Sequence, residues 1–251
     1  MKRLTSFEQD RHVLVVGGGE VAAGRIYHLL NANAKITVIA PTINEEIQYR
    51  QTHGQLHAVH LREFQESDLQ MYHNGQEPPK LEHFTEEEYK QMDQYLLDSK
   101  FELVLVAIDD PIESKKIYYL SKQLGLNVNI ADVPPLCDFY FGAIFRKGPL
   151  QVMISTNGKG PRMARLVKDK IGDMFKDVEI DTAIENINNV RQLIRSTKLQ
   201  GTDNDTIAER MRWMIKITDW YSIKQWSDFK DGFIEKVVES YPGTPPNFES
   251  L

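Results

Sequence analysis

Cysteine is nearly absent from this chain of 251 residues: Cys137 is the only one, so no internal disulfide can staple the fold, and a reducing compartment is expected. Long hydrophobic runs are missing too. No stretch approaches the ~18 apolar residues that a membrane helix needs, which excludes a helical membrane span. The opening MKRLTSFEQDRH turns polar too early for a secretory leader and is not Arg-rich like a transit peptide, so a cytoplasmic location is expected. Histidine is absent beyond residue 83, all seven lying at positions 12, 28, 53, 57, 60, 73 and 83. Excess positive charge is also lacking. With 36 acidic and 30 basic side chains the formal charge is −6, which argues against nucleic acid as the main partner. What is present, 41% hydrophobic and 26% charged residues, suits a globular protein with a real core and excludes an acidic disordered chain.

Short Val- and Ile-rich runs at Val13–Val16, Ile36–Ile39, Leu56–Val59, Leu103–Ile108 and Val128–Ile130 alternate with helix-like stretches at Glu20–Asn31 and Ile112–Leu124. Apolar runs of this length are expected of strands buried on both faces, and their alternation with helices predicts a doubly wound parallel α/β sheet of Rossmann type over residues 1–133. Residues 62–98 interrupt the rhythm with ten acidic and three basic side chains around Pro78–Pro79. They read as an inserted, solvated decoration holding a short helix at Thr85–Leu97, with Thr85 and Glu88 spaced as a capping box. After Val133-Pro-Pro the pattern changes. Phe139–Phe145 and Leu150–Ile154 read as two strands joined at Lys147-Gly148-Pro149, followed by a basic helix from Pro161 to Phe175. This predicts a small α+β segment over 134–175. Beyond it, stripes at Ile180, Ile184, Ile187, Val190 and Ile194, at Met211, Met214 and Thr218, and at Trp226, Phe229, Phe233 and Val237 predict a helical C-terminal domain over 176–251, with a loose tail from Pro242.

The chemistry begins at Gly17-Gly18-Gly19-Glu20-Val21-Ala22, which follows the first strand and opens the first helix. Here Gly17 permits a tight turn, Gly19 lets the backbone approach a pyrophosphate, and Ala22 allows close helix–strand packing. The helix N-terminus faces the phosphates. An acid ~20 residues on would hold the adenosine ribose, but Ala40-Pro41-Thr42 stands at that place, with no Arg to welcome a 2′-phosphate. NAD is therefore favoured over NADP, with Gly17, Gly18, Gly19, Glu20, Val21, Pro41, Thr42 and Ala107 as the expected cofactor residues. Asp132 ends the fifth strand, where open α/β sheets bind their ligands. Residues 139–176 carry eight basic and two acidic side chains in a chain of net −6, a cluster suited to carboxylate groups. Cys137 reads as a packed small side chain, and His53, His57 and His60 are not expected to form a metal site.

The Gly-Gly-Gly-Glu-Val turn, Asn129-Ile-Ala-Asp132, Leu136-Cys-Asp-Phe-Tyr-Phe-Gly142 and Ser155-Thr-Asn-Gly158 together resemble the siroheme synthase dehydrogenase/chelatase family, most of all its fungal bifunctional branch. The resemblance implies oxidation of precorrin-2 to sirohydrochlorin with NAD⁺, then insertion of Fe²⁺, a substrate rather than a resident metal, to give siroheme. It implies a homodimer built through residues matching 134–175. It also implies Asp132 as the shared base, with Asn157, Gly158, Lys159, Arg162 and Arg165 meeting the tetrapyrrole. Gly160 departs from the family, which often has Ser before this proline. Two other readings remain: a dehydrogenase without chelatase activity, and a non-catalytic NAD-sensing dimer, which would need neither Asp132 nor the basic cluster.

Overall fold

The computed structural model describes residues 2–3, 11–73, 75 and 77–251. The polar N-terminal segment, not expected to be a targeting leader, falls largely outside them. The chain divides into two compact units, residues 1–141 and 142–251.

The first unit is built on five parallel strands in the order β4-β3-β2-β5-β6: β2 (His12–Val16), β3 (Lys35–Ile39), β4 (Ala58–His60), β5 (Leu103–Val106) and β6 (Asn127–Ile130). Residues in β2 alternate between two layers. Val13 and Val15 pack with Ala22, Ala23, Ile26 and Leu29 of α1 (Glu20–Leu30), whereas Leu14 and Val16 pack with Val104, Ile117 and Val128. A strand with both faces covered favours a near-continuous apolar run, and β2 is buried throughout, with His12 its one polar residue. The other helices of this unit are α2 (Glu45–Thr52), α3 (Glu86–Asp98) and α4 (Pro111–Gln123). Two capping features set their starts. Asp110 accepts from the backbone of Ile112 and Glu113 ahead of Pro111, and the expected Thr85–Glu88 box forms in full. Helix α2 shows no apolar periodicity in the sequence because it is short and polar, with only Ile47 buried. The third expected strand starts two residues later than its apolar run suggested and ends one later.

A short parallel pair, β1 (Lys2–Arg3) with β7 (Phe139–Tyr140), also belongs to this unit. The single strand expected over Phe139–Phe145 is therefore broken at Phe141-Gly142. A side chain on Gly142 would meet the Met153 side chain at 2.6 Å, a close approach that only glycine permits.

In the second unit β8 (Ala143–Lys147) and β9 (Leu150–Ile154) form an antiparallel hairpin, turned at Gly148 with φ +54°. Helices α5 (Pro161–Met174), α6 (Ile180–Thr197), α7 (Asn204–Trp220), α8 (Ile223–Ser227) and α9 (Phe233–Glu239) follow. Val190, Ile194, Met214, Ile217, Trp226 and Val237 form their core. Met211, expected inside, is exposed. The tail is anchored rather than loose, because Tyr221 and Trp220 both donate to the carbonyl of Pro246, and Phe248 and Leu251 pack on the core. Aromatic donors that reach backbone acceptors fix a segment whose sequence carries no periodic signal. Among the described residues, no helix is long and apolar enough to cross a membrane.

A buried carboxylate organises the start of the acidic insertion. Asp68 is buried and accepts both guanidinium branches of Arg62 at 2.6 and 2.7 Å, together with the Gln65 N–H at 2.7 Å. Burial alone would push this carboxyl up, but the Arg62 and Gln65 bonds outweigh it and hold it below the usual carboxylate range. A depressed folded-state value contributes stability that is complete above the unfolded carboxylate range, about 4, and is lost as pH falls through the folded value. Asp68→Asn is expected to cost about 1–3 kcal/mol at neutral pH and to flatten the acid limb of the stability curve. Hydrogen exchange at β2 and β5 checks this, because all three tryptophans lie in the second unit.

Candidate active site

Sheet order reverses at β2, which has β3 on one side and β5 on the other. A crevice must therefore open beyond the carboxyl end of β2. A cavity of about 560 Å³ lies there, bounded by residues 17–21, 40–44 and 107–109. All eight expected cofactor residues line it. Ile43, Asn44, Ile108 and Asp109 line it as well and were not expected. Asn44 could have been found, because its side chain accepts from Ile47 as the N-cap of α2, directly before Glu45-Glu46.

The three glycines have distinct reasons. Gly17 sits at φ +125°, and a Cβ there would lie 2.2 Å from the Ala107 carbonyl oxygen. At Gly18 a Cβ would lie 1.9 Å from the Thr42 carbonyl oxygen. Both are closed by neighbouring backbone. At Gly19 a Cβ would have nothing within 4 Å, and this residue opens on the cavity. The backbone is tied at the same place by Gly17 N–H to Ile39 C=O, Asn44 N–H to Gly18 C=O and Ala107 N–H to Val16 C=O, at 2.8–2.9 Å. Gly19 also caps α1 without a side chain, so the first N–H groups of that helix stay available to an anion. An open glycine, a bare helix start and a cleft within the usual ligand size range fit a dinucleotide pyrophosphate.

Asp132 lies two residues past β6 on the same carboxyl edge, next to the Ala131 N–H that bonds the Val106 carbonyl at 2.8 Å. Its φ is +60°, a left-handed conformation that costs a non-glycine residue of order 1 kcal/mol. The carboxylate is exposed and, among the described residues, has no hydrogen bond or ion pair. Its loop is held from both sides. The Cys137 thiol donates to the carbonyls of Ile130 and Val133 at 3.1 and 3.3 Å, so it brackets Asp132. Burial pushes that thiol up and keeps it protonated, as a donor rather than a nucleophile. Asp138 accepts from the Val128 N–H and from Lys122, both at 2.8 Å.

The expected tetrapyrrole residues lie in the second unit. Asn157 at φ +53° and Gly158 at φ +77° make the turn. It is more self-contained than expected: Asn157 N–H bonds Ser155 Oγ, Gly160 N–H bonds Thr156 Oγ1 and Lys159 N–H bonds the Thr156 carbonyl. Lys159, Arg162 and Arg165 are exposed, with no ion pair among the described residues. Lys147 leaves the basic cluster, because its ammonium donates to the carbonyls of Phe175 and Val178 at 2.9 and 2.8 Å and so closes the end of α5.

Fold and cleft together define a dinucleotide-binding protein of the Rossmann class. Comparison with known proteins sharpens this. Residues 8–143 match an NAD(P)-binding family, 147–174 the sirohaem biosynthesis protein central family and 177–244 the corresponding C-terminal family. The chain is 35% identical over 245 residues to siroheme biosynthesis protein met8 of Schizosaccharomyces pombe, covering 97% of this chain and 80% of that one. It is 32% identical to the siroheme biosynthesis protein of the same name from Saccharomyces cerevisiae, over 86% of this chain and 81% of that one. Siroheme synthase of Psychrobacter cryohalolentis matches at 34% over 65% of this chain but only 25% of its own length. A solved structure titled SirC, precorrin-2 dehydrogenase, shares the fold with a TM-score of 0.58 at 23% identity, covering 93% of this chain and 96% of that one. The chain belongs to the siroheme biosynthesis family, and its first unit is an NAD-binding domain.

Gly19→Asp places bulk and negative charge where the pyrophosphate would lie. It is expected to weaken NAD⁺ affinity by more than about tenfold while the thermal midpoint holds. Gly18→Ala is expected to do the opposite, lowering the midpoint because its Cβ collides with the Thr42 carbonyl. Calorimetric titration and thermal unfolding of both variants separate the two roles.

Proposed function

We propose that this chain oxidises precorrin-2 to sirohydrochlorin with NAD⁺ and then inserts Fe²⁺, as a substrate, to give siroheme. The observation that carries the reading is the placement of the glycine cleft and Asp132 on one carboxyl edge of a single sheet, in a chain of the siroheme biosynthesis family. The oxidation removes a hydride and a proton from the macrocycle. When bound, NAD⁺ supplies the hydride acceptor. Gly17 to Val21 would hold its pyrophosphate, and Pro41 and Thr42 would border its ribose. Asp132 takes the proton, as a carboxylate on a loop held by Cys137 and Asp138. Metalation releases two pyrrole protons, and Asp132 takes them one at a time, passing each to the solvent to which it is exposed. The left-handed backbone at Asp132 supports a catalytic role over a non-catalytic sensor, which has no use for strain at an exposed carboxylate.

Lys159, Arg162, Arg165 and the turn at Asn157-Gly158 receive substrate carboxylates in this reading. The protein acts as a homodimer through the second unit. Met163, Leu166, Val167 and Met174 form one exposed apolar face of α5, and the β8–β9 hairpin is half-buried rather than buried. Such a face calls for a partner surface. The compartment is the cytoplasm, in keeping with a single unpaired cysteine. A dehydrogenase without chelatase activity is the second reading, favoured by the absence of histidine beyond residue 83.

Asp132→Ala is expected to abolish NADH formation from precorrin-2 and iron insertion into sirohydrochlorin together, with NAD⁺ affinity retained. Loss of oxidation alone would assign chelation to another group or another protein. Retention of both would remove Asp132 from the mechanism. Light scattering is expected to return about twice the 29.0 kDa chain mass, and a monomer at micromolar concentration would contradict the dimer.

A further inference from the structure

We infer that Arg25 is a substrate-binding residue that receives one carboxylate side chain of the tetrapyrrole beside Asp132; this rests on the proposed oxidation of precorrin-2. Arg25 projects from the middle of α1 and is half-buried, with its guanidinium carbon 4.2 Å from the centroid of the Phe141 ring. That ring is braced by Phe139 at 5.9 Å and His28 at 5.8 Å. The ring covers the guanidinium from one side, while N–H donors stay free to point elsewhere. Among the described residues, nothing accepts from them. Arg50 and Arg62 of the same unit, by contrast, each close on a carboxylate, Glu46 and Asp68.

A cation drawn partly out of water with no acceptor is a costly arrangement, and burial is the main influence on Arg25, loosening its hold on the proton. The groups that face it are few. Asp132 and Cys137 act on it electrostatically, neither within ion-pair distance among the described residues, and the Cys137 thiol stays protonated. His28 is pushed down by burial and then by Arg25 itself, so it supplies no anion. The charge of Arg25 is therefore opposed only by an exposed carboxylate that it does not touch. A second carboxylate arriving with a ligand would satisfy the rigid fork in two parallel bonds. Precorrin-2 carries eight carboxylates, so one of them bound here would bring the macrocycle to Asp132 from within the first unit. Arg25 moves no proton in this role, since a guanidinium stays charged.

The test uses the full-length protein with Arg25→Gln and Arg25→Lys. It reads sirohydrochlorin affinity by fluorescence without NAD⁺, NAD⁺ affinity by calorimetry, and kcat and KM for precorrin-2. The expected result for Arg25→Gln is a rise of about tenfold or more in sirohydrochlorin Kd and in precorrin-2 KM, with NAD⁺ affinity unchanged. Arg25→Lys, which keeps the charge and loses the fork, is expected to fall between Arg25→Gln and wild type, and it decides the matter if Arg25→Gln does not fold. Wild-type Kd and KM in a folded variant, with only a lower thermal midpoint, would make Arg25 a packing residue and overturn the inference alone. If the wild-type protein neither binds sirohydrochlorin nor forms NADH, the oxidation reading falls and the Arg25 assignment falls with it.

Discussion

Two backbone contacts that admit no side chain organise the working end of this protein. Gly17 lies against the carbonyl of Ala107, and Gly18 against the carbonyl of Thr42, so the ends of β2, β3 and β5 are drawn together more closely than any residue with a Cβ would allow. The hydrogen bonds between Gly17 and Ile39, between Asn44 and Gly18, and between Ala107 and Val16 hold that convergence. Its consequence is spatial. Packing two glycines inward leaves the third, Gly19, facing open space at the start of α1, and the cleft of about 560 Å³ is what remains between the three strand ends. A parallel sheet supplies such a crevice wherever its strand order reverses, but the width of this one is set by the glycines.

The same sheet carries the catalytic candidate. β6 pairs with β5 in register, so Asp132 emerges one strand away from Ala107, on the edge that holds the cleft. Its loop is fixed by short-range chemistry: a thiol that donates to two carbonyls and a carboxylate that accepts from a backbone N–H and a lysine. The left-handed backbone at Asp132 is tolerable because these neighbours determine its course. Arg25 adds a cation from α1 to the same neighbourhood, set over the Phe141 ring. Nothing in this arrangement needs a histidine, which accords with a chain whose histidines all precede residue 84.

Much of this was legible in the sequence, for physical reasons that differ between elements. Strands β2, β3 and β5 announce themselves because burial on both faces favours Val, Ile and Leu, and the glycine turn because its spacing is dictated by sterics. β6 is marked less cleanly, since its buried Asn129 is satisfied by the Phe139 carbonyl. Helix α2 was not visible, since eight residues with Ile47 alone buried have no periodic face. Arg25 was hidden for another reason: its partner Phe141 is distant in sequence, and nothing local marks an arginine whose donors are left open. The self-contained bonds of the Ser155–Gly160 turn and the capping role of Lys147 likewise depend on contacts that composition does not record. A charge cluster read from sequence counts residues, whereas the fold decides which of them remain free to bind.

The central claim is that convergence of the strand ends at Gly17 and Gly18 creates the NAD⁺ site beside Asp132. Hydrogen–deuterium exchange of the full-length protein with and without NAD⁺ tests it most directly. Protection on binding is expected over residues 17–21, 40–44 and 107–109, with the second unit's helices α6 and α7 unchanged. Protection confined to other segments, with those three unaffected, would contradict it.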